Sequence, residues 1–481
     1  MVSAAVALLA TPFYLRYLGL EAYGIVGFYA AVQGFLAILD VGFTPTMNRE
    51  AAKAHATGEM NGARSLLRSL SAVTWSGALA IAVIFFISAH YVATHWLQAK
   101  GLSSESIRDA VAMLGFVIAV RWPMGVYTGA LLGSQRVVAL STINIVMSIV
   151  SSGGAILVLH AYSPTIEAFF GWMLLANIVW MSLIRLAAWR ALGGIGGAKL
   201  SMHALRQVWK FSMGMAATGI LGAILTYSDR LVVSRMLPLE ALGRYAVATQ
   251  LAAVTALLVM PTVNVVYPAL TRLLLSEQAE ALEQMYRSGT RMLGAVLFPL
   301  ATLLGAFAVP ILALWTGDAV MAREVAPVLQ VLLIGNALNG VMYFPYSLQM
   351  AAGASHFTTA TAATLLIVLV PALYLLTWRY GAAGAAAAWA LTNAIYVIIA
   401  TLTHRFFLRG NGFSWLCGDV LLPLLVAVAT VGSAGWLLAK TTLPPALQVG
   451  VGSATVLVSV AVVVGMSSGL KVHMRSLLPR R

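Results

Sequence analysis

Two arginines occur inside apolar stretches of the sequence, where a charged side chain requires a partner or a ligand. Arg121 occurs in "AVRWPMG", and Arg230 follows Asp229 in "YSDRLVV". A guanidinium keeps its charge at every relevant pH, and its planar fork donates two parallel hydrogen bonds, which suits a phosphate group. We therefore predict that Arg121 and Arg230 bind an anionic ligand. For Asp229 and Arg230 a structural ion pair is an equal alternative, because neighbouring helical residues point about 100° apart.

Asp40, in "AILDVGFTP", is a carboxylate in a third apolar stretch. It has two candidate roles. Asp40 could take up a proton or bind a sodium ion and respond to an ion gradient. Alternatively, it could pair with Arg49 and hold the segment that follows. We favour the structural pair, and the coupling role stays open.

Uncharged polar side chains also occur in the apolar stretches. Such residues most often form hydrogen bonds between helices, but they can also bind sugar hydroxyls. Three of them are Gln33, Gln250 and Asn264.

Several function classes find no support in the motifs. Cys417 is the single cysteine, so an intrachain disulfide is excluded, and no Cys/His cluster has metal-ligand spacing. The sequence has no phosphate-binding motif G-x-x-x-x-G-K-[ST], and no arrangement of nucleophile, base and orienting group. No basic patch is interleaved with aromatic residues as in nucleic-acid-binding proteins. We expect neither an enzyme nor a nucleic-acid-binding protein, and no metal or cofactor.

The composition shows which elements must position these residues. Of the 481 residues 60% are hydrophobic and only 9% are charged, and the mean hydropathy is +0.90. Soluble domains carry about 25% charged residues. Long, continuously apolar runs, rather than alternating ones, predict helices that cross a bilayer. The expected fold class is therefore all-α, a polytopic membrane protein.

Breaks of charge, proline and glycine divide the chain into 14 predicted membrane spans. Their approximate ranges are 2–18, 24–46, 69–93, 109–133, 139–160, 165–187, 210–235, 241–266, 289–315, 325–349, 357–378, 382–404, 416–438 and 445–467. The first span is short, and we interpret it as a shortened span 1 rather than a signal peptide, because no charged segment precedes it.

Basic residues predict the orientation of these spans. With the loop after span 2 placed inside, 19 lysines and arginines fall in inner segments and 8 in outer ones. Because basic residues in short loops stay in the cytoplasm, both termini are predicted to be cytoplasmic. The net charge of +14 is thus mainly a signal of topology.

A short phrase occurs twice in the chain, as "YLGLEAYG" at 17–24 and as "MLPLEALG" at 236–243. We interpret both copies as turns between two packed helices on the outer face. The turn residues are Gly19, Glu21 and Gly24 in the first copy and Pro238, Glu240 and Gly243 in the second. The copies are six spans apart, an even number, so they have the same orientation in the membrane.

This repeat predicts two six-helix lobes, at 1–195 and 205–405, followed by two further helices at 412–470. Two such lobes related by an axis along the membrane normal are typical of transporters that alternate between an inner and an outer opening.

Residues 11–52, "TPFYLRYLGLEAYGIVGFYAAVQGFLAILDVGFTPTMNREAA", resemble the opening of the bacterial oligosaccharide flippases, the Wzx or polysaccharide-transport family within the MATE-like (MOP) superfamily. "GALLGSQRVVALSTINIV" at 129–146 and "YSDRLVVSRMLPLEALGRYAVATQL" at 227–251 are similar to the same family. The resemblance covers nearly the whole chain, although the last two spans match only by count. In MATE-like folds spans 1, 2, 7 and 8 line the cleft, so the resemblance implies that Gln33, Gln250 and Asn264, which these spans carry, are the better candidates for the binding cavity.

The resemblance implies a flippase that moves undecaprenyl-pyrophosphate-linked oligosaccharide across the bacterial inner membrane for O-antigen or a related surface polysaccharide. It also implies membrane lipids and a polysaccharide polymerase or assembly protein as partners. The alternative is a MATE-type exporter of drugs or cations. Such an exporter favours acidic groups in its cavity, whereas the charge inside these spans is mainly basic.

Overall fold

The computed structural model describes residues 2–36, 42–408 and 410–466, with side chains except those of 203–205, 207–219 and 263. Helices make up nearly all of this part of the chain. The described α-helices are α1 Val2–Leu36, α2 Phe43–Thr57, α3 Met60–Tyr91, α4 Ser104–Arg121, α5 Met124–Gly133, α6 Val137–Ala161, α7 Ile166–Ala191, α8 Met202–Met236, α9 Leu239–Ala252, α10 Ala256–Leu275, α11 Ala279–Ala306, α12 Ala308–Thr316, α13 Ala319–Val341, α14 Tyr343–Ala351, α15 Ser355–Leu408, α16 Gly412–Trp415, α17 Leu422–Ala427, α18 Ser433–Leu438 and α19 Pro445–Met466.

Eleven helical stretches within the described ranges are long and apolar enough to cross a membrane. One of these stretches, α15, is long enough to contain two predicted spans, and α1 contains the first predicted span and the first part of the second. α8 covers predicted span 7 but is not one of the eleven stretches found in the described ranges. The chain is therefore an all-α, multi-pass membrane protein.

A glycine with positive φ divides each of the two longest helices. Gly19 has φ 78° and ψ 170° inside α1, and Gly381 has φ 61° and ψ −140° inside α15. Residues with a Cβ rarely adopt this backbone conformation, whereas glycine adopts it without steric cost. Each glycine thus interrupts the helical hydrogen bonds and turns one helical segment into the next.

By internal contacts the chain forms two compact units, Met1–Gly243 and Arg244–Arg481. The predicted lobes at 1–195 and 205–405 rest on sequence symmetry, which this grouping does not measure, so their boundaries stay a prediction. The first unit contains a fully buried core in which α2, α3, α5 and α7 meet, with Met47, Leu67, Leu70, Tyr127 and Ile184 among its members.

Two arginines of α3 bind the loop that follows α7. Arg64 donates through Nε to the carbonyl of Leu192 at 2.7 Å, and through its Nη atoms to the carbonyls of Gly196 and Gly193 at 3.2 and 3.3 Å. Arg68 donates to the carbonyl of Ala198 at 2.8 Å. These bonds satisfy carbonyls of the loop that follows α7, from its C-cap Leu192 to Ala198. We call this set of bonds the α3 clamp.

The second unit is organised around α11, α13 and α15. One cluster of its buried side chains consists of Leu303, Phe307 and Val431, of which Phe307 directly follows α11. A hydrogen-bond network joins α13 to α15: Trp389 Nε1 donates to Asn336 Oδ1 at 2.9 Å, and Asn339 Nδ2 donates to Asn393 Oδ1 at 2.8 Å. These amides stabilise helix packing, as most polar residues in membrane helices do.

Candidate functional site

Arg121 lies at a break in a membrane-spanning helix. The stretch Ser104–Gly133 is divided into α4, which ends at Arg121, and α5, whose first residue follows Pro123. Proline has no N–H to donate and so weakens the helical ladder at this point. Discontinuous helices of this kind often carry the ligand-binding residues of transporters.

The guanidinium of Arg121 lies over an aromatic face. Its Cζ atom is 5.3 Å from the ring centroid of Trp180 on α7. The indole Nε1 of Trp180 in turn donates to Asn144 Oδ1 on α6 at 3.1 Å. The cation–π contact and this hydrogen bond together fix the position of the arginine while leaving its N–H donors in the guanidinium plane.

α1 supplies the next two polar groups. The buried hydroxyl of Tyr29 lies beside Arg121 without a hydrogen bond of normal geometry. Gln33 is half-buried one turn further along α1, on nearly the same face as Tyr29. Arg121 and Tyr29 thus lie together within the first unit, and Gln33 lies one helical turn from Tyr29.

Arg230 lies on α8, within predicted span 7. Its Cζ is 5.7 Å from the ring centroid of Tyr227, and its Nε is buried without a hydrogen-bond partner among the described residues. The ring of Tyr227 packs on Gly34 of α1, where any Cβ would overlap it. Asp229 is buried and accepts the backbone N–H of Arg230 at 2.7 Å.

The two arginines therefore approach the same helix. Arg121 reaches α1 at Tyr29, and Arg230 reaches it through Tyr227 at Gly34. Five residues separate these points, which is about 7.5 Å along a helix axis and about 140° around it.

Neither Arg121 nor Arg230 forms an ion pair with a carboxylate in the described part of the chain. Other arginines do: Arg244, for example, has its Nε 3.0 Å from an oxygen of Glu324. Unpaired positive charge inside a membrane is costly, and it marks a ligand or ion pathway in most membrane proteins. The arrangement is suited to binding an anion.

The other predicted site residues are more dispersed. Gln250 is half-buried on α9 and Asn264 is exposed on α10, both in the second unit. Asp40 lies outside the described residues, so its coupling role and its pairing with Arg49 stay predictions. Arg49 forms a hydrogen-bonded salt bridge with Glu50 at 3.0 Å.

The two copies of the repeated phrase contact each other directly. A Cβ on Gly24 would overlap the backbone carbonyl of Leu239, and a Cβ on Gly243 would overlap the carbonyl of Leu20. Leu20 and Leu239 occupy the same position in their copies, as do the two glycines. The contact is thus reciprocal, with each glycine packed on the backbone of the other copy. Gly19 and Pro238 precede these leucines, and Glu21 and Glu240 follow them.

Sequence reasoning missed a charged cluster in the second unit. Asp419 is completely buried and accepts from Arg287 Nε and Arg291 Nε, each at 2.8 Å. Arg287 also donates to Ser414 Oγ at 3.2 Å. Asp419 is the one acidic residue in 412–466, and a carboxylate in such an apolar segment signals a buried partner.

No group of three or more His, Cys, Asp or Glu side chains that could hold a metal ion occurs in the ranges that the structure covers. The functional candidates are therefore the arginines and their polar neighbours in the first unit.

Solved structures show which fold the chain has. An inward-facing MATE family multidrug resistance transporter of the MOP superfamily matches with a TM-score of 0.69 and 14% identity, over 84% of this chain and 94% of that one. The lipid II flippase MurJ, in an inward closed conformation, matches with a TM-score of 0.58 and 14% identity, over 95% of this chain and 98% of that one. The fold is that of the MOP-superfamily transporters.

Sequence comparison is more specific. The model of the family described as "Polysaccharide biosynthesis protein" matches residues 1–274, more than half of the chain, and the chain belongs to that family. A protein of Shigella flexneri named "Putative O-antigen transporter" is 22% identical over 390 residues, which is 80% of this chain and 90% of that protein. The family and these relatives are transporters rather than enzymes, as the sequence predicted.

Proposed function

We propose that this protein is a flippase that moves undecaprenyl-pyrophosphate-linked oligosaccharide, the repeat unit of O-antigen or a related surface polysaccharide, across the bacterial inner membrane. The family match and the O-antigen transporter of Shigella flexneri support this substrate class. The likeness to MurJ supports a lipid-linked substrate, because MurJ has a similar fold and is a lipid II flippase.

The observation that carries the proposal is the pair of arginines without carboxylate partners. Arg121 lies in a membrane-spanning stretch and Arg230 in predicted span 7, and they approach α1 at points about 7.5 Å apart along its axis and about 140° apart around it. A pyrophosphate carries two phosphate groups, each able to accept two parallel hydrogen bonds from a guanidinium. Gln33, Gln250 and Asn264 are proposed to bind sugar hydroxyls.

The proposed cycle is alternating access in the inner membrane with both termini in the cytoplasm. The linked sugar enters from the inner leaflet, binds near mid-membrane and leaves on the outer side, as in other transporters with internal repeats. Ion coupling is part of the proposal. Asp40 and Asp229 are its candidate groups, with Arg49 the candidate structural partner of Asp40, because carboxylates inside a membrane commonly exchange protons or sodium ions.

The first experiment is to delete the gene in its own host and to restore it as wild type, Arg121→Ala or Arg136→Ala. Arg136 is exposed at the start of α6 and is the matched control. We expect deletion to abolish surface polysaccharide and to accumulate undecaprenyl-linked units on the cytoplasmic leaflet. Wild type and Arg136→Ala should restore the polymer, and Arg121→Ala should not.

Two outcomes would contradict the proposal. Normal surface polysaccharide after deletion, together with altered resistance to cationic drugs, would identify an exporter instead. Full rescue by Arg121→Ala at wild-type abundance would remove Arg121 from the binding site.

A further inference from the structure

The loop between α3 and α4 contacts both copies of the repeated phrase. In the sequence this loop is the longest segment on the predicted outer face, and no function was assigned to it. In the structure, residues 96–102, which we call the latch loop, lie against residues 17–24 and 234–243 of the same compact unit.

The first copy is held through Glu21. Its carboxylate accepts the backbone N–H groups of three consecutive residues of the latch loop: Lys100, Gly101 at 2.9 Å and Leu102 at 3.1 Å. A carboxylate bonded to three amides is a strong, charge-assisted contact.

The second copy is held by backbone and side-chain bonds. The N–H of Leu239 donates to the carbonyl of Gln98 at 2.7 Å, and Gln98 Nε2 donates to the carbonyl of Arg235 at 3.3 Å. Trp96 Nε1 donates to Ser234 Oγ at 3.0 Å, and Arg235 lies 5.9 Å from the ring of Trp96. The latch loop thus bridges the two copies by polar contacts on both sides.

These contacts are of a kind that can open. Gly24 and Gly243 pack on backbone carbonyls, so the two copies can separate without a change of side-chain rotamers. A cavity of about 230 Å³ lined by Leu20, Glu21, Lys100, Pro238 and Glu240 lies beside the bonds. The cavity is large enough for several water molecules, and water can replace the polar bonds when they break.

We propose that the latch loop is an outer gate: it holds the two copies of the phrase together in the closed state and must release them for the outer end of α1 to part from α8 and α9. This role rests on the proposed transport function, since a protein that moves no substrate needs no gate. The occluding contact itself can be tested without substrate.

The test measures the access of a buried reporter. Leu239 is 1% exposed and its side chain contacts Gly24. In a Cys417→Ser background, Leu239→Cys is labelled with a membrane-impermeant maleimide added from outside. Glu21→Gln removes the charge of the latch contact and should raise the labelling rate about tenfold.

Two further variants make the test specific. Gly101→Ala would place a Cβ 2.8 Å from Glu21 Oε2 and should raise the rate as Glu21→Gln does. Glu105→Gln is the control, because Glu105 lies close to the latch loop in sequence, is 77% exposed and contacts Arg108 instead. Equal labelling in the Glu21→Gln, Gly101→Ala and Glu105→Gln proteins would overturn the proposal.

A cross-link tests the need for opening. Gln98 and Pro238 are paired as neighbouring residues of a parallel bridge, where Cα atoms lie about 5 Å apart, within disulfide range. Oxidation of Gln98→Cys/Pro238→Cys should abolish transport, and reduction should restore it. If the fully oxidised protein transported as fast as the reduced protein, the result would contradict the gate.

Failure of every variant, wild type included, to move a lipid-linked sugar would instead contradict the proposed function and leave the labelling result intact.

Discussion

Arg121 shows how one residue can tolerate a position that lipid disfavours. On insertion scales an arginine at the centre of a membrane helix costs about 2.5–3.5 kcal/mol. In the structure this cost is offset by the face of Trp180, whose own N–H is satisfied by Asn144. The N–H groups of the guanidinium keep no carboxylate partner within the described ranges, so the residue is held in place but not neutralised.

Arg121→Lys tests whether the fork matters or only the charge. Lysine keeps the positive charge but cannot donate two parallel hydrogen bonds from a planar group. We expect transport of lipid-linked oligosaccharide to fall by about tenfold, with normal abundance in the membrane. An unchanged rate would show that Arg121 acts as a point charge. Arg136→Lys is the control for a general effect of the exchange.

At the scale of elements, glycines set the closest helix contacts. Gly24 and Gly243 bring α1 and α9 to backbone contact at the repeated phrase. Arg287, Arg291 and Asp419 bind the segment after α16 to α11 through side chains. One contact is made by the absence of side chains and the other by charge.

Gly24→Ala should destabilise the protein by about 1–3 kcal/mol, because the new methyl group would overlap the carbonyl of Leu239. Gly62→Ala is the matched control: Gly62 lies in α3 with nothing within 4 Å of a Cβ, and alanine favours a helix over glycine. Thermal unfolding in detergent should show a lower midpoint than wild type for Gly24→Ala, and no lowering of the midpoint for Gly62→Ala. Equal midpoints would mean that α1 and α9 can shift apart without cost.

Asp419→Asn should destabilise the second unit by about 3 kcal/mol, since it removes the negative charge that two partly buried arginines share. Glu280→Gln, in the first turn of α11, is the control and should cost less than about 1 kcal/mol. Protease sensitivity of α16–α19 in detergent is a suitable measurement. Equal resistance of the two variants would show that packing alone holds these helices.

The sequence allowed prediction of the elements, but not of the contacts between distant ones. Apolar runs predict the crossing helices because each run satisfies its own backbone in lipid. Local spacing does not show that Arg121 meets Trp180, 59 residues away in the chain, or that Asp419 lies between two arginines of α11. The phrase was recognised as a repeat, yet the direct contact of its copies depends on tertiary packing.

For the whole molecule, the distribution of lysine and arginine predicts one orientation. Cys417, the single native cysteine, lies near the start of predicted span 13 and is exposed. In this predicted orientation, with both termini in the cytoplasm, Cys417 faces the inner side.

An impermeant maleimide should therefore label Cys417 in inverted vesicles and not in spheroplasts. Ser104→Cys in a Cys417→Ser background is the control on the opposite side, since Ser104 is exposed at the start of α4, and it should show the reverse pattern. Labelling of Cys417 in intact spheroplasts would invert the predicted topology.

The α3 clamp has a consequence for how the chain is made. Arg64 and Arg68 bind carbonyls of residues 192–198, so every partner of the clamp lies within the first 198 residues. The clamp can close as soon as the loop after α7 emerges from the ribosome, before α8 has left it. Biosynthesis can thus complete α1 to α7 as a folded intermediate in the membrane, against which each later helix is inserted in turn.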